Sequence, residues 1–179
     1  MRWLVYYIFA YVTLGLQIGL SPYVRYQGAA PNLALLGVIY IALNAPRDAA
    51  LLAAFGIGVL QDLLSAQPPG LYAFSYGIVA MFVTGAQQVV YREHPLTQFS
   101  LTLAGGLVTM CVLLVHGWIS PPGAHVVDGK IPLSALRVAP ATLFTGVLYT
   151  AVLSPLVIGG LQRAKGIFAF KQQRRRAKP

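Results

Sequence analysis

The sequence predicts an all-α polytopic membrane protein, a bundle of about six transmembrane helices, and three observations lead there. Hydrophobic residues make up 57% of the chain and charged residues only 9%, too few charges to cover a soluble surface. The apolar stretches are punctuated by Pro, Gly and charged turns, and 179 residues leave room for five or six spans of about 20 residues each. Of thirteen Lys and Arg, seven follow Gln162, the asymmetry expected of a cytoplasmic tail. The reading is one transmembrane helical domain over 1–162, a basic cytoplasmic tail over 163–179, and no separate soluble domain.

The first span runs from about Trp3 to Leu20 and lacks the small-residue cleavage pattern of a removed signal peptide. Trp3, Tyr6, Tyr7 and Tyr11 crowd its beginning as an aromatic belt, and Gly15-Leu-Gln-Ile-Gly19 supplies a GxxxG pair that can bring another helix close. Ser21-Pro22 stops the helix, and Tyr23 to Ala30 forms a short outer loop carrying Arg25. Pro31 opens the second span, about Asn32 to Leu43, which is short for a hydrocarbon core of about 30 Å and reads as little tilted or re-entrant. Asn32 is placed to cap this helix or to bond a neighbour. Asn44-Ala-Pro-Arg-Asp48 is a tight turn, and Ala49 to Ser65 forms the third span, making a hairpin with the second.

Gln67-Pro-Pro-Gly70 is an outer turn, followed by a fourth span over Leu71 to Tyr91. Ala73, Gly77, Ala80, Thr84, Gln87 and Tyr91 draw a small, weakly polar stripe down the face that packs, with Phe74, Ile78 and Phe82 opposite it towards lipid. After the inner turn Arg92-Glu-His-Pro95, the fifth span covers Leu96 to Ile119 with Thr102, Gly106, Thr109 and His116 on one face. Ser120 to Ala135 is the longest loop and is expected outside. The sixth span covers about Leu136 to Leu161; Pro140 suits its first turns, and Pro155 is expected to kink it or end its regular part.

With six spans and the tail inside, both termini are cytoplasmic. The inner face then holds Arg2, Arg47, Arg92 and the tail residues Arg163, Lys165, Lys171, Arg174, Arg175, Arg176 and Lys178, against Arg25, Lys130 and Arg137 outside. Five spans, with a re-entrant second, would put the amino terminus outside; the Arg beside Met1 and the aromatic belt argue against that. The tail works as a topology signal and would attract anionic lipid. It has no aromatic residue within its Arg run and no nucleic-acid-binding fold around it, so no nucleic-acid partner is expected.

Asp62 is the one carboxylate inside an apolar segment, in the run Gly56-Ile-Gly-Val-Leu-Gln-Asp62-Leu-Leu-Ser65. A charge at membrane depth is costly unless paired, hydrated or buried in protein. Ala50, Ala54, Gly58 and Asp62 recur at spacing four, so small side chains lead up to the acid and it should face protein. Two roles are open to it: a cap or pin at the end of its span, or a functional contact. His116 is a candidate partner for it, and Asn32 lies at similar depth because the second span begins where the third ends. The candidate packing, partner or cavity residues are therefore Asn32, Gly58, Asp62, Ser65, Gly70 and Tyr72.

Single Cys111 sits in an apolar span and reads as a small packing residue. His94, His116 and His125 show no metal-ligand spacing, and no nucleophile, base and acid assemble into a catalytic set. No catalytic residue, metal or cofactor is assigned.

Pro31-Asn32-Leu33 opening a short apolar hairpin, Gly58-Val-Leu-Gln-Asp62-Leu-Leu-Ser65, and Pro69-Gly70-Leu-Tyr-Ala-Phe-Ser-Tyr76 beyond the turn together resemble the MreD family of bacterial rod-shape-determining membrane proteins. Length, span count and basic tail fit as well. After about Pro95 no motif is diagnostic, and the outer loop is longer than the family pattern. The resemblance implies a non-enzymatic component of the cell inner membrane that serves cell-wall elongation, associated with MreC, a single-span protein with a periplasmic coiled coil. MreB, a RodA-like glycosyltransferase and the elongation transpeptidase are the further partners it implies. It also implies a fold similar to the substrate-binding membrane subunits of energy-coupling-factor vitamin transporters. The alternative function is accordingly a small-molecule binding subunit of a transporter, with Asn32, Asp62, Tyr72 and His116 as the polar groups of an outward pocket.

Overall fold

The computed structural model of the chain describes residues 3–26, 28–65, 69–87, 94–119 and 140–163. Those residues form six helices: α1 (Trp3–Leu20), α2 (Leu33–Asn44), α3 (Arg47–Leu64), α4 (Leu71–Ala86), α5 (Pro95–Ile119) and α6 (Pro140–Arg163). An isolated β-bridge pairs Tyr26 with Ala29 around Gly28, which takes a left-handed φ of +82°. The amino-terminal Arg2, the Gln67-Pro68 part of the outer turn, Tyr91 and Arg92, the loop over 120–135, and the tail beyond Arg163 lie outside the described residues.

The short helix α2 is the hub, in contact with all five other helices. Ten consecutive residues, Ala34 to Leu43, are buried, so no side of it meets lipid or water. A helix apolar all round must be enclosed by protein or by lipid, and its sequence reads the same in both cases. Here the enclosure is protein. At 12 residues α2 is about 18 Å long, too short to cross a hydrocarbon core of about 30 Å alone. Helices α5 and α6 are long and apolar enough for a crossing; α1, α2 and α4 are shorter apolar helices. Around the outside, Tyr7, Tyr11, Phe55, Leu63, Phe74, Phe82 and Leu156 are all exposed. Such an exterior suits acyl chains and would be a liability in water.

Packing within a bilayer gains little from moving leucine out of lipid, so close approach and interhelical hydrogen bonds must hold the bundle together. The close approaches are visible at glycines. A Cβ on Gly58 would stand 2.4 Å from the Ala73 Cα and 2.7 Å from the Tyr72 carbonyl oxygen, backbone atoms that cannot yield. This glycine is what lets α3 and α4 touch. Gly106 likewise lies under Val147, joining α5 to α6. At the opposite end of the bundle the Gln87 side chain donates to the carbonyls of Ala42 and Ala45, closing the carboxyl end of α2. The Tyr40 hydroxyl donates to the Leu161 carbonyl at 3.2 Å, tying α2 to α6.

Several expectations change. α4 is described over Leu71–Ala86 with Gln87 in a turn, and the rest of the expected fourth span, 88–91, lies outside the described residues. α3 starts at Arg47, two residues before Ala49, which puts Asp48 in the first turn, where the helix dipole favours an acid. α6 does not end at Pro155. Proline removes the N–H that would bond the carbonyl of Ala151, and the Ser154 hydroxyl donates to that carbonyl at 2.8 Å instead. Cys111 is exposed on the outer surface of α5 instead of packed. Among the described residues no neighbouring atom lies within 4 Å of where a Cβ on Gly15 or Gly19 would be, so the GxxxG pair brings none of the six described helices close.

Candidate functional site

The distal end of the bundle, where α1, α3 and α5 finish and α2, α4 and α6 begin, carries the polar groups. Its problem is that two helices begin inside protein. The first N–H groups of any helix lack intrahelical acceptors, and burying them unpaired costs about 1–3 kcal/mol each.

For α2 the accounting is complete. Gln17 on α1 reaches across so that its Oε1 accepts from the N–H of Leu33 and, at 3.3 Å, from that of Ala34. Asn32 is the N-cap, its Oδ1 accepting from the Leu35 N–H at 2.9 Å and from the Tyr76 hydroxyl at 3.0 Å. The Asn32 N–H donates to the Thr150 hydroxyl oxygen at 2.9 Å, and that hydroxyl donates to the Gly146 carbonyl at 2.6 Å. Asn32 therefore both caps its own helix and bonds a neighbour, the two roles its sequence position left open.

For α4 the acceptor is Asp62, which is 5% exposed. Its Oδ2 accepts from the N–H of Gly70 at 2.9 Å and of Ala73 at 3.1 Å, and its Oδ1 from the N–H of Tyr72 at 2.8 Å. The small-residue row places it: Ala50, Ala54 and Gly58 are all buried, and Gly58 lets α4 come close enough for its first turn to wrap the carboxylate. Gly70 sits just before α4 with φ of +97°, a left-handed turn that aims its N–H back at the acid. The Ser65 hydroxyl donates to the Asp62 main-chain carbonyl at 3.3 Å, closing α3. A carboxylate at a helix N-terminus is favoured both by its hydrogen bonds and by the helix dipole. The cost of keeping an acid here is thus offset by three backbone donors, not by a cation. His116 does not join it: no hydrogen bond links the two, and the His116 Nε2 is buried without a partner among the described residues.

A partly open cavity of about 220 Å³ lies beside these caps and receives residues from all six helices. Gln17, Asn32, Gln61, Tyr72, Thr109 and Thr150 give it polar atoms, while Leu35, Met110, Leu113, Leu143 and Val147 give it apolar walls. No acidic or basic side chain lines it among the described residues. Thr150 stands ten residues into α6, so the polar floor is about 15 Å along that helix from its start. Irregular backbone at such depth is tolerated where protein encloses it or a cavity meets it, and the 28–31 segment leading into α2 has both.

Of the residues singled out from sequence, Asn32 and Tyr72 reach the cavity, as do Gly106 and Thr109 from the shared face expected on the fifth span. Asp62, Gly58, Ser65 and Gly70 form the α3–α4 junction behind Tyr72, and His116 is absent from the lining. Sequence reasoning missed Gln17, Gln61 and Thr150, and it placed Gln87 on the packing face of α4 without its acceptors on Ala42 and Ala45. The usable signal was a lone amide within an apolar helix at Gln17 and at Gln61, since such groups in lipid need a protein partner or a cavity.

A family model described as the rod shape-determining protein MreD matches residues 1–162 of the chain. No curated protein and no solved structure matches the chain.

Proposed function

We propose that this chain, which belongs to the MreD family of rod shape-determining proteins, is a non-enzymatic scaffold of the cell-wall elongation machinery in the bacterial inner membrane. It is a membrane protein concerned with cell shape; the finer reading is that it holds an MreC-like single-span partner and through it helps to organise a RodA-like glycosyltransferase and the elongation transpeptidase. An MreB-like filament would lie on the side of the basic tail, with both termini cytoplasmic and the distal end periplasmic.

The observation that carries the scaffold reading is the use made of Asp62. The acid buried in the bundle, the first group one would ask to do chemistry, has its oxygens committed to three backbone N–H groups and fixes the α3–α4 junction. A site built for acid–base work needs its carboxyl oriented at a substrate proton. Gln17 and Asn32, at the same end, hold the start of α2. That makes a rigid platform, and rigid elements are what a partner interface is best built on.

The vitamin-binding alternative is not favoured, because a cavity of about 220 Å³ falls below the roughly 300–1,000 Å³ of sites that enclose a whole drug-sized ligand. Likeness to energy-coupling-factor subunits enters only as an expectation about helix arrangement. The test is affinity purification of the tagged chain from native membranes in mild detergent. A co-purifying single-span protein with a coiled-coil ectodomain is the expected result; recovery of the folded chain without any wall-elongation protein would refute the proposal.

A further inference from the structure

The distal cavity has donors to spare. Because Gln17 Oε1 accepts from two α2 N–H groups, its Nε2 must point the other way; because Asn32 Oδ1 accepts from Leu35 and Tyr76, its Nδ2 is likewise turned outward. Neither amide nitrogen, nor the Gln61 side chain, nor the Tyr72 hydroxyl has a hydrogen-bond partner among the described residues, and all four residues line the cavity. From α5 and α6, Met110, Leu113, Leu143 and Val147 add apolar surface to the lining, beside Thr109, Thr142 and Thr150.

We propose that this cavity binds the neutral, oxygen-bearing end of a membrane lipid, an ester or hydroxyl group on an apolar chain. The polar lining has spare N–H and O–H donors at Gln17, Asn32, Gln61 and Tyr72, with the Gln61 and Tyr72 oxygens also able to accept, so it can bond an ester oxygen or a hydroxyl. A phosphate or carboxylate would find no cation among the described lining residues to meet it, and an ammonium would find no carboxylate. A neutral acceptor has neither cost. The space of about 220 Å³ corresponds to about seven water volumes. It takes an ester or hydroxyl group with a short length of chain, and it is too narrow for a partner helix about 10 Å across. A lining that mixes polar and apolar side chains suits a molecule with one polar end and an apolar chain. The inference is independent of the scaffold reading.

The experiment uses the full chain in phosphatidylcholine nanodiscs with a photoactivatable monoacylglycerol, its cross-links mapped by mass spectrometry. Labelling is expected on α5 near Met110–Leu113 and on α6 near Thr142–Val147. Unlabelled monodecanoylglycerol should compete, decanoate at pH 9 should compete at least tenfold less well, and free glycerol should not compete. Tyr72→Phe and Gln61→Leu, which remove a spare donor and no structural bond, should each weaken capture several-fold. Equal competition by decanoate would overturn the neutral-ligand assignment, and competition by glycerol alone would overturn the need for a chain. Labelling confined to the lipid-facing surface at Phe74 and Phe82, or cavity cross-links made only to a co-purifying polypeptide, would overturn the site itself.

Discussion

Replacing Asp62 separates its charge from its hydrogen bonds. In Asp62→Leu three N–H groups lose their acceptor; that of Gly70 belongs to an exposed residue and can find water, whereas Ala73 is buried and Tyr72 half-buried. Two stranded donors cost about 1–3 kcal/mol each, and loss of the charge–dipole attraction at the start of α4 adds about 0.3–1 kcal/mol. Against that stands relief from holding an acid in the membrane, about 2.5–3.5 kcal/mol at a span centre and less towards an end. The expected net loss is about 2–4 kcal/mol. Asp62→Asn keeps one oxygen acceptor but turns an amide towards the remaining donor, so it should cost about 1–2 kcal/mol. Thermal unfolding in detergent gives the order parent, Asn, Leu. Hydrogen exchange gives the location: protection of the amides of Gly70, Tyr72 and Ala73 should fall first and furthest. If the Leu protein kept the parental melting temperature and unchanged protection at these amides, Asp62 would not be holding the start of α4 and the account of the distal end would be wrong.

Gly58→Ala should be disruptive while Gly56→Ala is tolerated, since the new Cβ meets backbone at 2.4 Å in the first case and nothing within 4 Å in the second; an overpacking penalty of about 1–3 kcal/mol or more is expected by the same unfolding assay. Gly15→Leu with Gly19→Leu should leave the melting temperature of the isolated chain unchanged, because neither glycine packs within it; a fall would mean that α1 is seated differently. Removing residues 171–179 should leave the fold intact and weaken attraction to anionic vesicles by about 1 kcal/mol per basic residue lying near the surface, read by co-sedimentation. Reporters fused at either terminus should both register cytoplasm; a periplasmic signal at the amino terminus would replace six spans with five.

The helix starts and stops were legible because prolines and glycines mark them chemically: α1 stops before Ser21-Pro22, α2 follows Pro31, and α5 begins at Pro95 itself. The burial of Asp62 was legible too, since Ala50, Ala54 and Gly58 at spacing four admit only close protein neighbours. What receives the acid was not. Its partners are main-chain N–H groups on the far side of the outer turn, and backbone donors leave no trace in residue type. For the same reason Gln17 could not be assigned to α2: its bonds are to the backbone of Leu33 and Ala34. Helix α2 itself exposed the limit of periodicity. An apolar face turned to lipid and one turned to protein look alike, so the hub position of Leu33–Asn44 follows from packing alone. The helix end allowed for at Pro155 was an inference from proline in isolation, without the Ser154 hydroxyl that serves the carbonyl it orphans.

The central claim is that this bundle is a shape-determining scaffold whose distal end must stay intact to work. Depleting the chain in its own bacterium and following cell width and the pattern of new wall insertion tests it most directly. The account predicts widening or rounding with dispersed insertion, rescued by the parent and by Gly56→Ala but not by Asp62→Leu produced at the same level in the membrane. Cells that keep their width and insertion pattern after depletion, or that are rescued fully by Asp62→Leu, would contradict it.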